Sequence, residues 1–284
     1  MPLFPYSAID PVLIQLGPFA IRWYALAYIA GILLAWRYIT RLVRNDGLWR
    51  TTPRPAALDI DDFVLWATFG IVLGGRIGYA LTYNFPYYSQ HPLQILEVWE
   101  GGMSFHGGFL GTVLAIVLFS RRRKISMLIL FDLTGTAAPI GLFFGRIANF
   151  INGELWGRIS DVPWAMVFPG AGPLPRHPSQ LYEATLEGTV LFLAIRLLSH
   201  RFKMLQRPGF IAGAFATGYG IARLIGEHFR MPDAQIGYLS FGTTMGMQLS
   251  LPMIVAGVAL MIWALKRGPT AEDGKPAAKL GKKA

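Results

Sequence analysis

The sequence predicts an all-α protein, a polytopic transmembrane helix bundle, and three observations carry that expectation. Of 284 residues, 53% are hydrophobic and only 15% are charged, against about a quarter charged in ordinary soluble domains. The mean hydropathy is +0.42, and several apolar runs approach the roughly 20 residues that cross a bilayer as a helix. The basic residues, which set a net charge of +10, stand in blocks between those runs.

The runs give seven spans: residues 20–36, 63–83, 105–120, 125–144, 181–198, 210–225 and 245–265. Arg37, Arg41, Arg44, Arg50 and Arg54 follow the first, Arg121, Arg122, Arg123 and Lys124 the third, and Arg196, Arg201, Lys203 and Arg207 the fifth. Lys266, Arg267, Lys275, Lys279, Lys282 and Lys283 follow the last. With these blocks inside, as the positive-inside rule places them, the spans alternate without conflict; the N-terminus lies outside and the C-terminus inside. The outward loops are nearly free of cations, with no Lys or Arg between Tyr83 and Phe105. A charge pattern of this kind marks topology, and it argues against nucleic acid as a partner. The third span is short; it either extends back through residues 101–104 or packs inside the bundle.

Residues 1–267 form the membrane domain in this reading. Within it, the outward segment 146–180 is rich in Gly, Pro, Asn and Trp and makes a small ordered cap. The Pro/Ala/Gly/Lys-rich stretch 268–284 reads as a disordered basic tail.

The chain has no cysteine, so a catalytic thiol, a disulfide and a thiolate metal site are all excluded. Any thiol in the chemistry belongs to a substrate. No cleaved leader is expected, since residues 1–18 lack a basic start and no small-residue cleavage site follows the first apolar run. There is no Gly-x-Ser-x-Gly elbow and no His-Glu-x-x-His pair. Neither His106 nor His177 has a third ligand close in sequence, so neither a metal nor another cofactor is expected.

Ionisable groups inside apolar spans are the strongest functional leads, because an unpaired charge there costs at least a few kcal/mol. Arg223 and Glu227 stand four residues apart near the outer end of the sixth span, with Tyr219 one turn earlier on the same face. Two readings are open: the pair neutralises itself, or it faces a ligand. Arg76, in Gly74-Gly75-Arg76-Ile77-Gly78, is open in the same way, as a structural residue or a headgroup contact.

The densest constellation is Gly145-Arg146-Ile147-Ala148-Asn149-Phe150-Ile151-Asn152-Gly153-Glu154-Leu155-Trp156-Gly157-Arg158, where the fourth span ends on the outer side. Arg146 and Asn149 are one helical turn apart, and Asn152-Gly153 signals a turn. An arginine offers a planar fork of donors that grips phosphate bidentately, Asn amides add neutral donors, and glycines admit close backbone approach. Such a set suits an anionic lipid headgroup; the alternative is a capped helix end and a structural loop. His106 opens the third span and is a candidate general base. His177 reads as mainly structural, with Arg176 and Tyr182 as headgroup contacts and Ser179 as a cap for the fifth span.

These motifs resemble one family, the prolipoprotein diacylglyceryl transferases of bacterial plasma membranes. Residues 145–157 are similar to its Gly-Arg-x-Gly-Asn-Phe-x-Asn-Gly-Glu-x-x-Gly signature. Gly102-Met103-Ser104-Phe105-His106-Gly107-Gly108, Arg176-His177-Pro178-Ser179-Gln180-Leu181-Tyr182-Glu183 and Arg230-Met231-Pro232-Asp233-Ala234-Gln235 also match in order. The likeness runs from about Asp10 to Trp263. Ala148 departs from the signature glycine, and the segment between Pro169 and Pro175 is short beside some relatives.

The resemblance implies an inner-membrane transferase that moves the diacylglyceryl group of phosphatidylglycerol onto the lipobox cysteine of a prolipoprotein signal peptide. A thioether forms and glycerol phosphate leaves. It implies that Arg146 and Arg223 are essential, and that His106, Tyr24, Asn149, Glu154, Gly157, Tyr219 and Glu227 match other required positions. Arg146 and Arg223 are then expected to hold the phosphate, with Arg223 oriented by Glu227 and Tyr219. Asn149, Asn152 and Glu154 position glycerol hydroxyls beside Tyr24, and His106 receives the thiol proton on the periplasmic side. A transporter and a non-catalytic lipid scaffold are the rival readings. The first fits poorly with polar groups crowded at the outer span ends, the second leaves His106 without a role.

Overall fold

The computed structural model describes residues 9–17, 19–98, 101–232 and 237–268. The chain is mostly helical, and helices cover most of each expected span. The main elements are α1 (Trp23–Arg44), α2 (Asp46–Trp49), α3 (Ala57–Thr82), α4 (Phe85–Gln90), α5 (Phe105–Arg123), α6 (Met127–Ile151), α7 (Ser179–Glu183), α8 (Leu191–His200), α9 (Phe210–Glu227) and α10 (Met245–Arg267). Among the described residues, four helices are both long and apolar enough to cross a membrane: α1, α3, α6 and α10.

The chain divides into two compact units, residues 54–131 and the remainder. In the smaller unit, α3 and α5 pack through facing glycines. A methyl group built on Gly78 would lie 2.7 Å from the Gly107 Cα, and one on Gly70 would lie 2.9 Å from the Gly111 carbonyl carbon. Helices without a hydrophobic drive between them associate through such small-residue contacts. At the other end of the pair, Phe63, Ile116, Phe119 and Leu130 form a buried cluster. Arg123 pairs with Asp62 there, and the three arginines of the last turn of α5 lie at the negative end of its dipole.

In the larger unit, α9 and α10 approach at Gly213 and Gly257, where a methyl on Gly213 would meet the Gly257 carbonyl at 2.6 Å. Helix α9 starts against α6. Asp132, 1% exposed, accepts from the backbone N–H of Gly209 at 2.7 Å and of Ala212 at 2.8 Å. A carboxylate borrowed from another helix thus caps the N-terminus of α9, satisfying donors that a helix start leaves open. Gly209, at φ +96°, makes the turn into it.

Several expectations need correction. Residues 20–22 are not helical: they belong to strand β2 (Phe19–Arg22), antiparallel to β1 (Val12–Leu16). The run Val-Leu-Ile-Gln-Leu is β-prone and ends on Gly17, at φ +58°, which supplies the turn. The third span does not extend back through residues 101–104, because Gly101 and Gly102 adopt positive φ and Ser104 caps α5 by accepting from the Gly107 N–H at 3.2 Å. The helix of the fourth span runs past residue 144 to Ile151, so Arg146 and Asn149 stand on it one turn apart. Of the expected tail only Gly268 is described; residues 269–284 lie outside the described residues, as do residues 233–235 of the last motif.

The α3–α5 contact makes a direct prediction. Gly111→Val should destabilise the detergent-solubilised protein by about 1–3 kcal/mol, the usual cost of overpacking, read as a shift in the SDS unfolding midpoint. Gly108→Ala should be near neutral, since its methyl would meet only Ile71 atoms at 3.5 and 3.9 Å.

Candidate active site

The last two turns of α6 carry Arg146 and Asn149 on one face. The chain then reverses through Gly153 at φ +65° and Leu155 at φ +57°, and Glu154 folds back onto the helix end. Its N–H donates to the Asn149 carbonyl at 3.1 Å. Its Oε1 accepts from Asn149 Nδ2 at 2.8 Å and from Asn152 Nδ2 at 3.5 Å. Tyr24, near the start of α1, lies within electrostatic reach of Asn149 and Glu154. Gln180 is fully buried and donates to the Glu154 carbonyl at 2.6 Å, so the fifth span steadies the same turn.

Arg146 points away from this turn into an ion network. Its Nη1 lies 2.9 Å from Glu183 Oε2, and its Nη2 lies 2.9 Å from Glu187 Oε2; its Nε donates to Glu187 Oε2 at 2.9 Å. Arg223, from α9, meets the same carboxylates: its Nη1 is 3.3 Å from Glu183 Oε1 and 3.7 Å from Glu187 Oε1. Its Nη2 pairs with Glu227, one turn on. Tyr219 lies within electrostatic reach of both arginines and both shared carboxylates. The side chains of Glu183 and Glu187 are 0% exposed, against 14% for Arg146 and 16% for Arg223. The open side of the network is therefore arginine.

Glu183 ends α7 and Glu187 stands in a π-helical segment, Ala184–Val190, that joins α7 to α8 without a break. The Leu191 N–H reaches back to the Leu186 carbonyl, the i→i+5 bond of a π turn. Such turns occur often at functional sites. Here the widened turn lies against α6: a methyl on Gly188 would sit 2.6 Å from the Phe143 Cβ.

Beyond α9 the chain encloses Glu227. Thr244 Oγ1 donates to Glu227 Oε2 at 2.7 Å, and a methyl on Gly246 would sit 2.7 Å from the Glu227 carboxyl carbon. Arg230 adds a third cation, 3.6 Å from Glu183 Oε1. Arg158 donates to the carbonyls of Glu227 and Arg230, each at 3.0 Å. A small opening here is lined by Arg223, Glu227, Arg230, Pro232, Thr244 and Gly246, among others.

The larger unit thus brings together Arg146, Tyr219, Arg223 and Glu227 in one network, and Tyr24, Asn149, Asn152 and Glu154 in one cluster. Gly157 has a backbone role. Its N–H donates to the His177 carbonyl at 3.0 Å, and a methyl there would lie 2.6 Å from the Phe229 carbonyl oxygen. Arg76 and His106 belong to the smaller unit. Arg76 is 3% exposed and spends its fork on backbone: Nε donates to Ile95 at 2.9 Å and Nη2 to Gln94 at 2.8 Å, while Nη1 donates to Gly101. It fastens the segment between α4 and α5. His106 is exposed in the first turn of α5, with its ring 5.7 Å from that of Phe105.

Arg176 likewise gives its donors to the carbonyls of Ala171 and Gly157. Ser179 does not cap its helix but donates to the Leu155 carbonyl at 3.1 Å. Ala148 is 0% exposed, so the methyl that departs from the signature is packed. Sequence reasoning missed Glu183 and Glu187 as partners of the arginines. The signal was present: two carboxylates at i and i+4 inside an apolar span, the pattern that singled out Arg223 and Glu227.

A family model described as prolipoprotein diacylglyceryl transferase matches residues 11–263. A phosphatidylglycerol–prolipoprotein diacylglyceryl transferase of Nitrobacter hamburgensis is 56% identical over 271 residues, 95% of this chain and 93% of the relative. Relatives of the same name are similar at 57% identity in Rhodopseudomonas palustris, over 98% of this chain and 97% of the relative, and at 56% in Brucella anthropi, over 93% and 95%.

His177 makes the site's margin sensitive to pH. Its ring packs between Tyr182 and Phe229, and burial holds its pKa below the ordinary value, with Asp161 pulling the other way. A histidine with a lowered native pKa stabilises the fold above its unfolded value of about 6.5, and that contribution is lost as pH falls through the native value. Corrected hydrogen-exchange protection at the Gly157 and His177 amides should therefore fall on acidification. His177→Phe should flatten that dependence.

Proposed function

We infer the reaction from kinship: the chain belongs to the prolipoprotein diacylglyceryl transferase family, and it transfers the diacylglyceryl group of phosphatidylglycerol to prolipoproteins. In the finer reading, the acceptor is the lipobox cysteine of a signal peptide in a bacterial inner membrane. The protein crosses that membrane seven times, with the N-terminus and the cap in the periplasm and the basic blocks in the cytoplasm. The alternation of basic and cation-poor loops supports this topology. No cofactor is assigned.

One observation carries the site assignment: Arg146 and Arg223, from different helices, share the same buried carboxylates while their own side chains stay partly open. In this reading the substrate sulfur attacks the glycerol carbon that bears the phosphate oxygen. The carbon–sulfur bond forms as the carbon–oxygen bond breaks, and glycerol phosphate departs with the bonding pair. Arg146 and Arg223 bind the phosphate and stabilise its charge as that bond breaks, the kind of preorganised stabilisation that dominates many enzymes. Asn149, Asn152 and Glu154, with Tyr24 beside them, orient the glycerol hydroxyls. Tyr219 and Glu227 hold Arg223, and Gly157 sets the backbone crossing behind them. The thiol, of pKa about 8.5 when free, gives its proton to His106. Arg76 acts by holding the segment that precedes α5.

Purified protein with phosphatidylglycerol and a lipobox peptide should yield a diacylglyceryl adduct by mass spectrometry on the cysteine peptide and none on its serine analogue. Arg146→Ala should lower kcat/KM by roughly 100- to 1,000-fold, and Arg146→Lys should lose most activity because a point charge cannot replace the fork. An active Arg146→Lys enzyme overturns the clamp. His106→Gln at near wild-type rate overturns the proton acceptor alone.

A further inference from the structure

The arginine clamp is not free-standing. Each guanidinium that is to hold phosphate is already engaged by Glu183 and Glu187, and these two carboxylates are the most deeply buried members of the network. They stand on one helix, four residues apart, within electrostatic reach of each other. Two like charges at zero exposure are a costly way to steady two arginines, since each ion taken out of water costs several kcal/mol. Neutral acceptors would serve for orientation alone. What only the carboxylates supply is negative charge along the guanidinium edges.

Arg146 turns three nitrogens toward the pair and Arg223 turns Nη1 toward both members. A phosphate that takes the Nη hydrogens left over by the carboxylates meets guanidinium donors whose charge is already largely balanced. In a partly buried site an unbalanced pair of cations would grip any phosphate strongly, including the glycerol phosphate that must leave.

We propose that Glu183 and Glu187 are positioning residues that aim Arg146 and Arg223 and hold their affinity for phosphate low enough for the leaving group to depart. The π-helical turn places Glu187 for this role: within Ala184–Val190 it meets Arg146 from α6 through Oε2 and Arg223 from α9 through Oε1. The inference rests on the diacylglyceryl-transfer reading above. It adds a constraint that the transfer alone does not contain, namely that removing negative charge tightens the site.

The test compares wild type with Glu187→Gln and Glu183→Gln, each of which keeps an amide oxygen as acceptor and removes one charge. The proteins are assayed in phosphatidylglycerol nanodiscs with a lipobox peptide, and glycerol phosphate is added as a product inhibitor. For Glu187→Gln the inhibition constant should fall about tenfold, the effect of one unit charge a few ångströms away under partial screening. KM for phosphatidylglycerol should fall with it, and kcat should drop as release slows. A merely structural role would instead raise KM and weaken inhibition together. Glu183→Gln should move the same quantities in the same direction, so either variant that folds, judged by its thermal midpoint, reads the effect. Inhibition constants that stay at the wild-type value or rise overturn the inference. A wild type that yields no adduct and binds no glycerol phosphate overturns the functional reading instead.

Discussion

Charge inside an apolar bundle must be answered by charge, and most of the larger unit is arranged around one such answer. Arg146 meets Glu183 and Glu187, and Arg223 meets the same two carboxylates. Removing one partner of a buried pair leaves an uncompensated ion, which costs about 3–5 kcal/mol. The network therefore ties three helical elements together, since removing any one partner strands an ion. Their backbones come close where it forms. Gly188 lies against Phe143, and a methyl built on Gly226 would lie 3.4 Å from the Glu183 Cγ.

The irregular backbone of the site serves the same end. The π-helical segment gives the continuous helix from α7 to α8 a wider turn at Glu187. The cap is held by short backbone crossings: Gly157 opposite Arg230, and Arg176 opposite both Ile159 and Met166. Arg158 and Arg176, which look like ligands for anions, spend their donors on carbonyls in these crossings. In the proposed reading, the groups that face a substrate are the outer edges of Arg146 and Arg223, the cluster around Glu154, and His106.

Much of the helical layout was legible because spans and basic blocks are properties of local composition. Arg146, Asn149 and Glu154 were legible for a related reason: they stand close together in sequence on a helix end and a turn. Arg223, Tyr219 and Glu227 follow from helical spacing. What escaped was set by tertiary contact. Glu183 and Glu187 gain their role only when α6 and α9 deliver arginines to them. The π turn has no compositional mark in Ala-Thr-Leu-Glu-Gly-Thr-Val. Residues 20–22, the end of the β-hairpin, read as the start of the first span because they run without a break into an apolar helix. Arg76 left two readings open in the sequence, and only tertiary contact supplies the carbonyls of Gln94, Ile95 and Gly101 that take its donors. Ser179 resembled a cap because capping depends on a backbone turn that residue type alone does not specify.

The carboxylate of Asp132 fixes where α9 begins, through the N–H groups of Gly209 and Ala212. From that anchored start, the angular position of every later residue on the helix follows from counting, at about 100° per residue. Tyr219, Arg223 and Glu227 all lie downstream of it on the same unbroken helix. A single inserted or deleted residue between Gly209 and Tyr219 would turn the arginine away from its carboxylates by that angle while the anchor held. A length change within the first three turns of α9 therefore acts on the network as a rotation. The stretch acts as a ruler whose zero mark is a side chain on another helix.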